Sequence, residues 1–215
     1  MSAPPEGEGG RPAAAEEIAL FPLHTVLLPG GLLPLRIFEP RYVDLVGRCL
    51  RSNEAFGVVL IQSGNETGSA VSIAEVGTSA RIVDFQPLTD GLLGLLCRGE
   101  QRFRVCSRRQ QPDGLNRAEV LWLTEPGPEP LEPQFQPLAD TVREGFASLT
   151  NSQRLIEPHY EDAGWVSHRL AEMLPLEPAL LQCLLELDQP GARLRILAPL
   201  VDAQGRDASA GGAQS

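Results

Sequence analysis

Leu20-Phe21-Pro22-Leu23-His24-Thr25-Val26-Leu27-Leu28-Pro29-Gly30-Gly31-Leu32-Leu33-Pro34-Leu35-Arg36-Ile37-Phe38-Glu39-Pro40-Arg41-Tyr42 is apolar enough to be core, yet Pro22, Pro29, Pro34 and Pro40 cut it into short pieces. Ile18 to Leu23 reads as a strand. Pro29-Gly30-Gly31 is a turn, where glycine permits positive φ. Leu33 to Phe38 is the next strand. Glu39-Pro40 then opens a helix, because proline suits the first helical position and acidic groups suit the N-terminal dipole. Tyr42, Leu45, Val46, Cys49 and Leu50 recur at helical spacing, and Ser52-Asn53 ends the stripe.

Downstream the period is 2. Phe56-Gly57-Val58-Val59-Leu60-Ile61 is a continuous apolar run of central-strand length. Val71 to Val76 alternates, Gly77 marks a bulge or bend, and Ala80 to Phe85 continues. Asp90-Gly91 and Asp113-Gly114 are turn signals. Leu92 to Cys97, a turn at Arg98-Gly99-Glu100-Gln101 and Arg102 to Cys106 read as a hairpin, and Ala118 to Leu123 as the last strand. Six or seven short strands with one early helix argue an α+β fold built on a small β-barrel.

Thr124 to Pro133 is a proline-acidic linker. Beyond it the period becomes 3.6. Leu138, Val142, Phe146 and Leu149 form one face. Asp162 is placed as the N-cap of a helix bearing Val166, Leu170, Met173 and Leu174, which Pro175 stops. Leu180, Leu181, Leu184, Leu185 and Leu187 form a third stripe. Leu194, Leu197, Leu200 and Val201 form a fourth, shortened or kinked by Pro199. The predicted organisation is a disordered tail over 1–17, a barrel over 18–124, a linker over 125–136, a subdomain of about four helices over 137–204 and a tail over 205–215.

The composition excludes several function classes. The net charge of -10 argues against nucleic acid and anionic membrane as partners, although Arg98, Arg102, Arg104, Arg108 and Arg109 leave a local basic patch open. All 18 basic residues are arginine, so a Walker A lysine, a Schiff base and a Ser-Lys dyad are excluded. Residues 1–17 have no basic n-region or apolar h-region, so no signal peptide is predicted. The window 18–35 has too many prolines to be a spanning helix. Cys49, Cys97, Cys106 and Cys183 form no C-x-x-C pair. They read as free thiols in a reducing cytoplasm, with a Cys97–Cys106 bridge across the hairpin as the minority reading.

Few residues stand in a pattern that signals chemistry. His168 and Glu172 stand at i,i+4, a spacing that fits a surface hydrogen bond better than a metal site. His159 lies among Glu157, Glu161 and Asp162 without ligand spacing. The sequon Asn65-Glu66-Thr67 has no weight in a chain that is not secreted. No G-x-S-x-G and no phosphate-cradling glycine loop is present, and no cofactor or metal is predicted. His24, Arg36, Phe38, Arg41 and Tyr42 carry interface-prone chemistry and border the opening stretch, so they are the candidate contact residues.

The opening stretch, with its I-F-E-P-R-Y block at Ile37 to Tyr42, resembles the N-terminal substrate-binding domain of the ATP-dependent Lon (La) proteases. The later Phe56-Gly57-Val58-Val59-Leu60 and Val76-Gly77-Thr78-Ser79-Ala80-Arg81-Ile82 resemble the same domain. Asp90-Gly91 and Gly99-Glu100-Gln101-Arg102-Phe103-Arg104-Val105 follow in the same order. Trp165-Val166, Arg169-Leu170 and Leu174-Pro175-Leu176 are similar to its helical part. The resemblance runs from Ile18 to Val201. It implies a PUA-like pseudobarrel followed by helices, in a free-standing bacterial member without ATPase or peptidase domains. It supplies no catalytic residues. The expected function is a non-enzymatic protein- or peptide-recognition module, an adaptor or regulator in proteolysis, with unfolded or client proteins and a protease as partners. Two alternatives stay open: a small-molecule binder or enzyme using a barrel–helix cleft, and an RNA-binding PUA-like module. The oligomeric state is not legible.

Overall fold

A computed structural model describes residues 15–64, 72–89, 91–147 and 155–211, with the backbone alone for 204–211. Residues 1–14 of the expected N-terminal tail, 212–215 of the expected C-terminal one, the sequon and Leu149 lie outside the described residues, while the backbone of 205–211 is helical rather than the expected disordered tail.

The barrel strands are β1 (Glu16–Leu23), β2 (Leu32–Ile37), β3 (Phe56–Ser63), β4 (Ser72–Ile73), β5 (Val76–Pro87), β6 (Leu93–Gln110) and β7 (Asn116–Trp122). β1 pairs antiparallel with β7, and the path continues through β6 and β5 to β3. β3 then returns parallel to β1 at Leu20↔Gly57 through Leu23↔Leu60, closing the ring. That closure explains the continuous apolar runs in the sequence. Phe21 and Leu23 enter one core cluster while Ile18 and Leu20 enter another, and β3 likewise sends Val58 to the first and Val59 to the second. A strand buried on both faces has no polar alternation to show.

Helix α1 (Pro40–Ser52) starts as expected, with Pro40 in its first turn after Glu39, and ends on Asn53 in the left-handed region at φ 53. Tyr42, Leu45, Val46 and Cys49 enter the first cluster with Phe21 and Phe56. Each large apolar side chain so buried contributes about 1.5–3 kcal/mol. Leu50 does not belong to this face and is exposed.

Two strand expectations are corrected. Arg98 to Gln101 is no turn: β6 runs unbroken for 18 residues. Gly99 lies mid-strand because the backbone of the β1–β2 loop comes against it. A Cβ there would strike the Leu28 carbonyl, and Gly30 and Gly99 exchange backbone bonds (Gly30 N–H to Gly99 O, 2.8 Å; Gly99 N–H to Gly31 O, 2.9 Å). Likewise Gly77 lies within a single strand β5. A Cβ at Gly77 would sit 2.5 Å from the Val58 carbonyl and 2.7 Å from Phe103 Cζ. The irregularities fall just beyond it, between Thr78 and Ala80 and between Ile82 and Asp84. A straight β6 also separates Cys97 from Cys106 by nine residues, about 30 Å at strand rise. No bridge between them is possible, and all four cysteines are free.

The helical part comprises α2 (Gln136–Ala147), α3 (Ala163–Met173), α4 (Pro178–Glu186) and α5 (Pro190–Gly211), which continues through Pro199. Asp162 caps α3, its carboxylate accepting from Gly164 N–H at 3.1 Å and Trp165 N–H at 3.2 Å. Val142, Val166, Leu170, Leu184 and Leu194 fill a third core, which Leu28 and Val76 enter from the barrel side.

Arginines, not only apolar contacts, join this bundle to the barrel. Arg102, Arg169 and Arg193 are among the largest fully buried side chains. Arg102 of β6 pairs with Glu125 and Asp188, each at 3.0 Å, and donates to the Leu185 carbonyl at 2.8 Å. Arg169 of α3 donates to the carbonyls of Pro29 and Gly30, both at 2.8 Å. Arg193 of α5 instead ties the bundle to itself, donating to Ser167 Oγ of α3 and the Leu187 carbonyl after α4. A buried guanidinium needs such a set of acceptors to offset its desolvation.

Candidate functional site

β2 pairs only with β6 among the described strands, so its other edge is open. Pro34 is tolerated there because an edge strand need not donate on both sides. Across β2, β6 and β5 the rungs are Pro34–Leu96–Asp84, Leu35–Leu95–Phe85 and Arg36–Gly94–Gln86. Over these rungs lies a groove of about 580 Å³, lined by Pro34, Arg36, Phe85, Leu88, Leu96 and Leu155 among others. Gly94 forms part of its floor, and Leu88 packs where a Cβ would otherwise stand, 2.9 Å from its Cδ2. Leu155, from the loop before α3, is held at the rim by the Arg98 guanidinium, which donates to its carbonyl.

The groove is rimmed by exposed apolar surface. Phe85 is 55% exposed and Leu155 46%. Arg36 also lines a small adjoining pocket of about 60 Å³ that it shares with Phe38, itself 63% exposed. Phe85 thus lines the groove and Phe38 the small pocket, with Leu35 and Arg36 common to both. Such aromatic exposure beside an unpaired strand edge is the combination that binding surfaces present.

The structure brings two of the five candidate contact residues, Arg36 and Phe38, to this surface. Of the other three, Tyr42 reaches only the inner wall of the small pocket, and His24 and Arg41 line neither space. His24 is exposed in the β1–β2 loop and lines neither pocket. Arg41 is an internal tie: it donates to the Gly114 carbonyl at 2.8 Å, pairs with Glu39 at 2.7 Å and lies 4.7 Å over the Tyr42 ring. Tyr42 is 3% exposed and stacks on Phe21 with centroids 3.8 Å apart, so its ring belongs to the core. Phe85 and Leu155 were missed. Phe85 carried a weak signal, an apolar residue between Asp84 and Gln86 at a strand end. Leu155 carried none, because only the tertiary path brings it to the groove.

A barrel–helix cleft of about 540 Å³ also exists, lined by Leu28, Leu33, Phe146, Arg169, Glu172 and Met173 among others. Neither His24 nor His159 reaches it. The expected His168–Glu172 surface contact is absent, because Glu172 pairs with Arg169 at 3.0 Å and His168 is buried. Burial, and then the guanidiniums of Arg193, Arg169 and Arg102, hold the His168 imidazole well below its ordinary 6.5, so it is neutral. Burial raises the Glu172 carboxyl to about 7 against the pull of Arg169. His159 stands 3.8 Å from Glu161. No group of three or more potential metal ligands occurs among the described residues.

Three of the five arginines of the basic patch are engaged in ion pairs, and Arg98 donates to the Leu155 carbonyl. Arg102 is buried, Arg104 faces Glu75 at 3.5 Å, and Arg109 pairs with Glu17 at 2.7 Å. Arg117 takes the other oxygen of Glu17 at 2.6 Å.

A ring-closed barrel and a helical block riveted to it by Arg102 and Arg169 define a mixed α+β domain with an external groove. The chain belongs to the ATP-dependent protease La (LON) substrate-binding domain family, whose model matches residues 17–203. It is 38% identical to a Lon N-terminal domain protein from Xanthomonas campestris, whose crystal structure superposes with a TM-score of 0.72 over 86% of this chain and 98% of that one. It is 25% identical to the Lon protease of Cytophaga hutchinsonii over 82% of this chain and 23% of that protein. It is 36% identical to cereblon of Danio rerio over 46% of this chain and 23% of that one. The chain thus spans about a quarter of the length of these two longer relatives.

Proposed function

We propose that this chain is a non-enzymatic recognition module for unfolded or client proteins and peptides, serving as an adaptor or regulator in proteolysis. The observation that carries the reading is the groove over β2, β6 and β5, with Phe85 exposed on its lining, Phe38 exposed in the adjoining small pocket and an open strand edge beside it. An extended client segment placed there gains main-chain bonds from the edge and buries apolar side chains against Phe85, Leu96 and Leu155. The family membership supports the same reading. The free thiols support action in a reducing compartment, the cytoplasm. No helix among the described residues is long and apolar enough to cross a membrane. The net charge of -10 and the pairing of Arg102, Arg104 and Arg109 with carboxylates favour protein over RNA as the partner.

The test is binding of a reduced, carboxymethylated protein that cannot fold, followed by fluorescence anisotropy. Phe85→Ser combined with Arg36→Ala is expected to weaken binding at least ~10-fold, the loss of one good apolar anchor. Binding of the wild type that the double variant leaves unchanged rejects this groove. No binding by the wild type rejects client recognition.

A further inference from the structure

At the other end of the barrel the ring is incomplete. β1 meets β3 only from Leu20 onward, so Glu16 to Ala19 have no β3 partner. The last turn of α1 stands over that gap. The result is a third cavity of about 580 Å³, walled by β1, α1, β5, β6 and β7 and distinct from the client groove. Its size is that of a small-molecule site.

Its walls are charged, and most of the charges are already matched. Arg81 holds Glu100 through two bonds and Asn53 through another guanidinium nitrogen. Glu17 takes Arg109 and Arg117 on its two oxygens. Glu16 accepts the Trp122 indole N–H at 2.7 Å. These pairs fix the wall geometry in advance of any ligand.

Two groups are left over. Arg48 lines the cavity, and its Nη2 is buried with no hydrogen-bond partner among the described residues. Glu54 lines the same cavity and makes no ion pair among the described residues. Both charges act on the Cys49 thiol between them in the chain, Glu54 raising it and Arg48 lowering it after the larger effect of burial. A buried guanidinium N–H without an acceptor is costly, and an incoming carboxylate supplies a charge-assisted, two-pronged partner. Glu54, an exposed carboxylate lining the same cavity, favours an ammonium.

We infer that the barrel mouth binds a small zwitterion, the class of free α-amino acids and dipeptides, with its carboxylate on Arg48 and its ammonium toward Glu54. The matched groups around them, Gln101 and the Trp122 ring offer the ligand side chain a rigid wall of both polar and apolar character. This site is separate from the client groove and does not depend on that reading.

The experiment is a thermal-shift and calorimetry series on the whole chain, using each of the common amino acids and glycylglycine at about 10 mM, a concentration that shifts the melting point measurably for millimolar or tighter binding. At least one zwitterion is expected to raise the melting temperature by ~2 °C or more. Its N-acetyl and its amide derivatives, each lacking one charge, are expected to lose the shift. Arg48→Gln and, independently, Glu54→Gln are expected to abolish it, while Phe85→Ser leaves it intact. The inference is overturned if no probe shifts the protein, if the blocked derivatives work as well as the free ones, or if the shift survives in either charge variant. Should Arg48→Gln fail to fold, the Glu54→Gln arm and the blocked ligands decide the matter alone.

Discussion

Replacing Arg102 by methionine tests what joins the barrel to the helices. Methionine keeps most of the stem and removes every donor. Four acceptors lose a guanidinium bond: Glu125, Asp188 and the carbonyls of Leu185 and Leu187, of which Glu125 keeps the backbone N–H of residue 102 and Leu187 keeps Arg193. Breaking a fully buried ion pair costs about 3–5 kcal/mol. That figure is too large here, because the Glu125 and Asp188 side chains keep 32% and 78% of their surface, so water re-solvates them. The Leu185 carbonyl is bonded in a buried position and loses about 1–3 kcal/mol if left unsatisfied. The expected net loss is about 3 kcal/mol, or a fall in melting temperature of roughly 6–12 °C for a chain of this length. Urea unfolding measures it, and the two tryptophans report the two sides of the junction separately. Trp122 lies in β7 and Trp165 in α3, so single-tryptophan variants read barrel and bundle in turn. Both probes are expected to move together. A loss below about 1 kcal/mol, or a gain in stability, refutes the claim that this arginine fastens the junction.

Three further outcomes follow from the same structure. Asp162→Ala removes the acceptor for Gly164 N–H, Trp165 N–H and Glu129 N–H, and is expected to cost about 1–2 kcal/mol in urea unfolding. The depressed His168 has a defined sign: the unfolded chain binds this proton more readily, so its contribution is present above about pH 6.5 and lost as pH falls toward the folded value. Glu172, raised to about 7, acts oppositely between its ordinary 4.5 and 7, so Glu172→Gln is expected to steepen the acid-side fall in melting temperature and His168→Gln to flatten it. Of the four cysteines, Cys106 and Cys183 are exposed while Cys49 and Cys97 are buried, with the Cys97 thiol pushed up to about 12 by burial. A thiol-reactive chromophore is therefore expected to label two sites at once and the other two only after denaturation.

Local chemistry made several of these features readable in the sequence. Pro40 after Glu39, the Asp113-Gly114 turn with Gly114 at φ 84, and the Asp162 cap each depend on neighbours a few residues away. Gly99 was misread for the opposite reason. Flanked by Arg98 and Glu100 it looks like a turn, and only the approach of the Leu28 carbonyl from a distant loop explains it. Arg102 and Arg169 were equally opaque. A charged residue in a strand or helix pattern reads as solvated, and the carbonyls and carboxylates that bury these two come from segments far along the chain. The candidate site was half legible. Arg36 and Phe38 border the opening stretch and do reach the groove surface, whereas Tyr42 shares their sequence neighbourhood and turns into the core because it falls on the buried stripe of α1.

The proposed recognition surface is the groove over β2, β6 and β5. Hydrogen exchange of the chain, alone and with a permanently unfolded client, addresses it directly. The predicted result is slowed exchange confined to residues 32–38, 83–88 and 93–98. Protection that instead falls on the barrel–helix cleft, at 25–33, 145–146 and 169–174, or that appears nowhere, contradicts it.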